Sequence, residues 1–151
     1  MLHNVLHADE TTLQVLHEEG KTPQSKSYIW LYRTSGNALH PIVLYEYQPD
    51  RRSQHPKKFL KDFKGYLHTD GYDGYRRISE DIVIVGCLSH VRRKFNDALK
   101  ILPVQERESS VAFKGKEYCD KLFSFERDFA KLSFNERVVS RKFRKLEKGL
   151  C

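Results

Sequence analysis

Between Gly65 and Tyr75 the chain reads Gly-Tyr-Leu-His-Thr-Asp-Gly-Tyr-Asp-Gly-Tyr, and this stretch limits what can surround it. Tyr66 to Thr69 reads as a short strand that delivers Asp70 to its C-terminal end. The chain then breaks at once, because Gly71 and Gly74 tolerate backbone angles that other residues resist. A carboxylate at a strand terminus is held by the sheet on one side. The glycine beside it leaves room for a bulky, phosphate-bearing substrate, so the arrangement suits metal binding. Asp-Gly pairs also form ordinary polar turns, and local chemistry alone favours that reading. A second acid on the first strand of the chain, Asp9, changes the balance.

That first strand is expected over Val5 to Leu16, where polar and apolar residues roughly alternate and Thr11, Thr12 and Val15 favour extended backbone. Alternation sets His7, Asp9 and Thr11 on one side and Ala8 and Glu10 on the other. A loop containing Gly20 and Pro23 leads to an apolar second strand, Ser27 to Thr34. A turn at Ser35-Gly36-Asn37 precedes a third, Ile42 to Tyr47, ended by Pro49. Pro56 opens a helix with Phe59, Leu60 and Phe63 on its apolar side, Lys57, Lys58, Lys61 and Lys64 on its wet side, and Gly65 as its stop. After the Asp70 strand, Arg76 to Asp81 is a short helix or turn. Ile82-Val83-Ile84-Val85 is a continuous branched run of the kind covered on both faces. A helix from Val91 to about Leu102 ends at Pro103.

Three strands joined by short turns predict an antiparallel meander, and later strands separated by helical crossovers predict parallel additions. The fold class is therefore α/β: a mixed five-stranded sheet flanked by helices in the order of a ribonuclease-H-like domain, over residues 1–103. In that fold the first strand lies beside the Asp70 strand, which brings Asp9 and Asp70 together. Residues 104–151 read as two amphipathic helices, Val111 to Lys131 and Phe134 to Lys148. Leu122, Phe125 and Phe129 line one apolar face, and Val138, Val139, Phe143 and Leu146 the other. Ser133 and Glu136 form a capping box.

At 151 residues and 39% hydrophobic content the chain is one domain's worth. It contains no apolar run of the roughly 20 residues that span a bilayer and no secretion signal, so a cytoplasmic location without membrane contact is expected. Cys87, Cys119 and Cys151 are few and scattered, as reduced thiols are. A net charge of +7 favours a polyanionic partner.

Four segments carry a specific resemblance: His7-Ala8-Asp9-Glu10-Thr11; Tyr47-Gln48-Pro49 with Arg51; Thr69 through Tyr75; and Cys87-Leu88-Ser89-His90-Val91-Arg92-Arg93-Lys94-Phe95. Together they resemble the transposase of the insertion-sequence sixty-six family, in register from residue 7 to about 100. The resemblance implies a ribonuclease-H-like catalytic domain with an Asp-Asp-Glu metal site for Mg2+ (or Mn2+). Its first two acids fall on Asp9 and Asp70; Asp73 sits where the family pattern is permissive. It also implies DNA as partner, both transposon ends and target, and a possible homo-oligomer. Cys87-x-x-His90 matches only half a zinc site. The resemblance instead sets His90 near the chemistry, while a helix-capping or core role for it stays equally open. Arg92, Arg93 and Lys94 at a helix start, with Lys57, Lys58 and Lys61, are candidate phosphate contacts.

The third acid of the family arrives later, in an Asn-Asn-x-x-Glu-Arg-like segment that does not occur before Cys151. Glu106, Glu108, Glu117 and Glu126 read as exposed helix positions. The expectation is a fragment of a catalytic domain, whether a truncated gene, a decayed element or an excised piece, with metal-dependent cleavage and strand transfer belonging to the complete protein. The alternative is a non-catalytic DNA-binding or interaction remnant, or another ribonuclease-H-like nuclease.

Overall fold

Five strands make one mixed sheet: β1 (Val5–Gln14), β2 (Lys26–Thr34), β3 (Val43–Gln48), β4 (Gly65–Thr69) and β5 (Ile82–Gly86), in the order β3-β2-β1-β4-β5. The computed structural model describes residues 4–147 except 37 and 77, and no side chains from 143 onward. The side chains of Phe143 and Leu146, the helix end expected at Lys148, Asn37 of the expected turn, and Cys151 lie outside the described residues. Contacts divide the chain into two units, Met1–Cys87 and Leu88–Cys151.

In the first unit β1 is the central strand. It pairs antiparallel with β2, Leu6 opposite Thr34 and Gln14 opposite Lys26, and parallel with β4, Val5 opposite Tyr66 and His7 opposite His68. β3 adds antiparallel to β2 and β5 adds parallel to β4, so the expected meander with parallel additions is the observed topology. Period-two alternation sends Leu6 and Ala8 of β1, Trp30 and Tyr32 of β2, and Leu67 of β4 to one face, where all five are buried. α1 (Gln54–Phe59) and a single 3₁₀ turn at Asp73–Tyr75 close over that face. They contribute Leu60 and Phe63 just after the helix, and Tyr75, to the same core. The Tyr32 and Phe59 rings stack at 3.9 Å, and Trp30 meets Tyr75 edge-on at 5.7 Å. Each fully buried aromatic or leucine here contributes about 1.5–3 kcal/mol of transfer free energy.

Three expectations need correction. The helix opened near Pro56 stops at Phe59, and Leu60 and Phe63 then turn inward, at 0% and 1% exposure. Gly65 is accordingly not its stop. It begins β4 with φ +136°, and a Cβ there would lie 2.5 Å from the carbonyl oxygen of Asn4. Gly71 does have a positive φ of +87°, but Gly74 does not: it is buried against Tyr72, whose ring a Cβ would meet at 2.2 Å. The branched run of β5 is not covered on both faces either. β5 is an edge strand, and Val83, Ile84 and Val85 are 53%, 39% and 37% exposed. A run of branched residues is shared by central and edge strands, so composition alone does not separate them.

The second unit is helical: α2 (Leu88–Ile101), α3 (Val104–Arg107), α4 (Val111–Phe129) and α5 (Phe134–Glu147). α2 packs on α4 where Gly115 lets the two approach, since a Cβ there would sit 2.5 Å from the Phe95 ring. Asp120 of α4 accepts hydrogen bonds from Arg92 of α2 and, at 2.8 Å, from Lys116. Ser110 caps α4 by accepting from the Phe113 amide at 3.1 Å. The expected capping box is present: the Ser133 amide donates to Glu136 at 2.8 Å, and the reciprocal bond is long at 3.5 Å. Hydrogen bonds from Ser133 hold the Glu136 carboxyl below its ordinary range. Among the described residues no helix is long and apolar enough to cross a membrane.

Gly65→Ala is expected to destabilise the protein by roughly 1–3 kcal/mol, because strained φ and a backbone collision coincide there. Gly36→Ala, with nothing within 4 Å of the added methyl, should stay within about 0.5 kcal/mol of wild type. Urea unfolding of both variants checks the contrast.

Candidate active site

The register of β1 against β4 sets the geometry. His7 stands opposite His68; Asp9 lies two residues further along β1, and Asp70 two residues further on, just past the end of β4. The ladder between β4 and β5 runs on to this end, where the Cys87 amide donates to the Thr69 carbonyl at 2.7 Å. Both aspartates are half-buried. Each uses one carboxylate oxygen locally: Asp9 Oδ1 accepts from the Glu10 amide at 3.0 Å, and Asp70 Oδ1 from the Tyr72 amide at 2.8 Å. The second bond closes an Asx turn around Gly71, which fixes Asp70 at the strand end.

One rung below, the His7 and His68 rings lie 4.7 Å apart. Burial, with the charges of Arg33 and His68 nearby, holds the His7 imidazole below its usual pKa, so it is the neutral form that this environment favours.

On the opposite side of β1 from Asp9, Glu10 points toward the core, with 1% of its side chain exposed. A charged residue on a buried face must find partners. Glu10 Oε1 accepts from Arg51 Nε at 2.7 Å and from Arg51 Nη2, and Glu10 Oε2 accepts from the Tyr75 hydroxyl at 2.7 Å. Burial pushes the Glu10 carboxyl above its ordinary range, against the pull of the Tyr75 and Arg51 hydrogen bonds. Burial alone would lower Arg51, but its bond to Glu10 and the negative charge there outweigh it, and its pKa is raised.

Arg51 links Glu10 to Asp70. Its Nη2 is 4.0 Å from Asp70 Oδ2, and its guanidinium carbon lies 3.7 Å above the Tyr72 ring. Tyr72 in turn donates its hydroxyl to the Arg51 carbonyl at 2.6 Å. Sequence reasoning named Arg51, Glu10, Tyr72 and Tyr75 only as members of motifs and gave none of them a role. The signal was available: alternation from Asp9 puts Glu10 on the apolar face, and a buried acid requires a cation from some loop.

The other singled-out residues are placed separately. Lys57 and Lys58 are exposed on α1, and Lys61 is exposed just beyond it, 3.9 Å from Asp62. His90 is half-buried in the first turn of α2, within the helical unit. Arg92 is paired with Asp120, whereas Arg93 and Lys94 are exposed. Ser89, Arg92, Arg93, Asn96, Asp120, Phe123 and Arg127 line a groove of about 700 Å³. Glu106, Glu108, Glu117 and Glu126 are all exposed, and Glu126 binds Arg141 at 2.6 Å.

Two half-buried carboxylates, Asp9 within β1 and Asp70 just past the end of β4, offer oxygen donors of the kind that hard divalent cations take. The donor set fits one such ion in part. Among the described residues no three His, Cys, Asp or Glu side chains gather into a complete metal-holding group.

Comparison with known proteins matches residues 1–148 to the Transposase IS66 family. Three uncharacterized proteins of Sinorhizobium fredii (strain NBRC 101917 / NGR234) are similar to the chain. Protein y4hP is 30% identical over 90% of this chain and 27% of its own length. Protein y4qI is 36% identical over 60% of this chain and 19% of its own. Protein y4jD is 28% identical over 91% of this chain and 28% of its own. The chain thus spans about a quarter of the curated relatives it matches. No solved structure matches it. With a family match across almost its whole length, the chain belongs to the IS66 family of transposases.

Proposed function

We propose that this chain is part of a ribonuclease-H-like catalytic domain for DNA transposition, in which Asp9 and Asp70 hold a divalent cation at the phosphodiester that is cut and rejoined. The observation that carries the reading is the parallel β1–β4 pairing, which sets the strand that bears Asp9 beside the strand that leads into Asp70, in a chain of this family. The strand order, a central β1 with an antiparallel meander on one side and parallel strands on the other, supports the fold assignment.

Magnesium or manganese, when bound, supplies Lewis-acid stabilisation of the attacking and departing oxygens. The protein's part is positional. Asp70 is oriented by its turn and Asp9 by the sheet, so each carboxylate is restrained before a cation arrives. Their mutual repulsion falls when a cation lies between them, which couples metal affinity to their spacing. His90 enters this reading through family resemblance alone.

DNA is the proposed partner. Arg93 and Lys94 on α2, with Lys57, Lys58 and Lys61, supply exposed cations for phosphate contacts that do not depend on sequence. Arg92 is committed to Asp120 and contributes less to such contacts. A second reading, binding without cleavage, is favoured for this stretch by itself, because no third acid joins Asp9 and Asp70 among the described residues.

Two outcomes test these readings. Mn2+ titration followed by electron paramagnetic resonance should detect binding that weakens about tenfold or more in Asp9→Asn and in Asp70→Asn, with circular dichroism unchanged. Equal affinity in all three proteins would remove the metal assignment. The chain should retard duplex DNA at low salt and nick none of it with magnesium. Six phosphate contacts would make affinity fall about 10³-fold between roughly 50 and 200 mM salt. Arg93→Ala with Lys94→Ala should weaken retardation more than Arg92→Ala does. Magnesium-dependent nicking that disappears in Asp9→Asn would replace binding alone with an active nuclease.

A further inference from the structure

The Glu10–Arg51–Tyr72 cluster is more elaborate than an ion pair that only neutralises a buried acid. Glu10 is 1% exposed, yet the guanidinium that partners it belongs to a side chain 39% exposed. Arg51 therefore runs from a buried anchor to the solvent rim, where Asp70, 24% exposed, stands 4.0 Å from Nη2. The neighbouring Arg52 is 74% exposed, and its guanidinium lies 3.6 Å from Asp50, itself 35% exposed.

Arg51 is restrained in three ways. Glu10 holds Nε and Nη2, the Tyr72 ring lies 3.7 Å beneath the guanidinium carbon, and the Tyr72 hydroxyl binds the Arg51 carbonyl at 2.6 Å. Gly74 makes room for that ring, because a Cβ there would meet it at 2.2 Å. A guanidinium carries five N–H donors in a planar fork, and the Glu10 contacts use those of Nε and Nη2. Donors remain for an incoming anion. A fork whose rotamers are already fixed loses little entropy on binding a phosphate, which is how arginine outperforms a mobile lysine at such sites. Beside it, Ser53, Tyr72, Asp73, Gly74 and Arg76 line a groove of about 540 Å³, so Tyr72 serves both as platform for Arg51 and as wall of an open channel.

We propose that Arg51 is a phosphate-contacting residue of the DNA site, binding the phosphodiester backbone next to Asp70, and that Glu10 is the positioning residue that aims it. The inference rests on the transposase reading above and adds the residue that grips the strand. It accounts for an arginine held against a metal-binding acid. With the cation absent Arg51 offsets the charge of Asp70, and with DNA present it turns the same charge to a phosphate oxygen.

Removing Arg51 alone leaves Glu10 buried without its cation, so the test uses Glu10→Gln with Arg51→Gln, which removes both charges, and Arg51→Lys, which keeps a cation against Glu10. Fluorescence anisotropy of a labelled duplex, measured from roughly 50 to 200 mM salt, gives affinity and the slope of log K against log salt. The double variant should lose about 0.9 from that slope, the share of one phosphate contact. Arg51→Lys should keep the slope and bind several-fold more weakly, because the charge survives and the fork does not. Glu10→Gln alone should behave as Arg51→Lys does if its role is to aim the arginine. An unchanged slope in the double variant, or wild-type affinity in Arg51→Lys, overturns the inference while leaving the transposase reading in place. Failure of the wild-type chain to bind duplex at low salt overturns both.

Discussion

The approach of Gly65 to the carbonyl of Asn4 fixes where β4 meets β1. The Tyr66 amide donates to that same carbonyl at 2.9 Å, and the Gly65 amide donates to Asp81 at 3.0 Å, so three chain segments are pinned at one end of the sheet. Only a residue without Cβ and with φ near +136° allows it. Everything downstream counts from this point. Val5 pairs with Tyr66 and His7 with His68, and Asp70 follows two residues later. A slip of one residue would drive Leu67 into water, so the buried face fixes the register that leads into Asp70.

The two faces of β1 divide the work. Odd positions carry His7 and Asp9, and even positions carry Leu6, Ala8 and then Glu10, which ends the apolar row with a charge. That charge is the costly feature of the unit, and Arg51 and Tyr75 satisfy it from a loop and from the turn after Asp70. Because both partners come from segments that flank Asp70, the core and the acidic strand end share one hydrogen-bonded cluster.

Much of this was legible in the sequence. The strands were found by alternation and branched residues, their order followed from short turns and crossovers, and the opposite facing of Asp9 and Glu10 followed from period two. The Ser133–Glu136 box was readable from spacing, and so were the exposed glutamates of the tail. Where reading failed, the cause was tertiary. Gly65 and Gly74 look like breakers, but their roles are contacts with Asn4 and Tyr72 that no local pattern encodes. β5 looks covered on both faces because a branched run does not record which of its faces the rest of the chain covers. Arg51 was visible only as a motif letter, since its partner lies 41 residues away.

The central position of β1 also sets the order in which the site can form. Its antiparallel bonds to β2 close through a short loop, as do those of β2 to β3, so the meander is favoured early. The parallel bonds to β4 must wait until the whole of β2, β3 and α1 has left the ribosome, and they carry the larger loop-closure entropy. Asp9 thus lies on a strand that local closure favours, and Asp70 joins it only through the long crossover. A nascent chain holds one acid of the pair and the unpaired polar edge of β1, which makes this edge the most vulnerable to mispairing during biosynthesis.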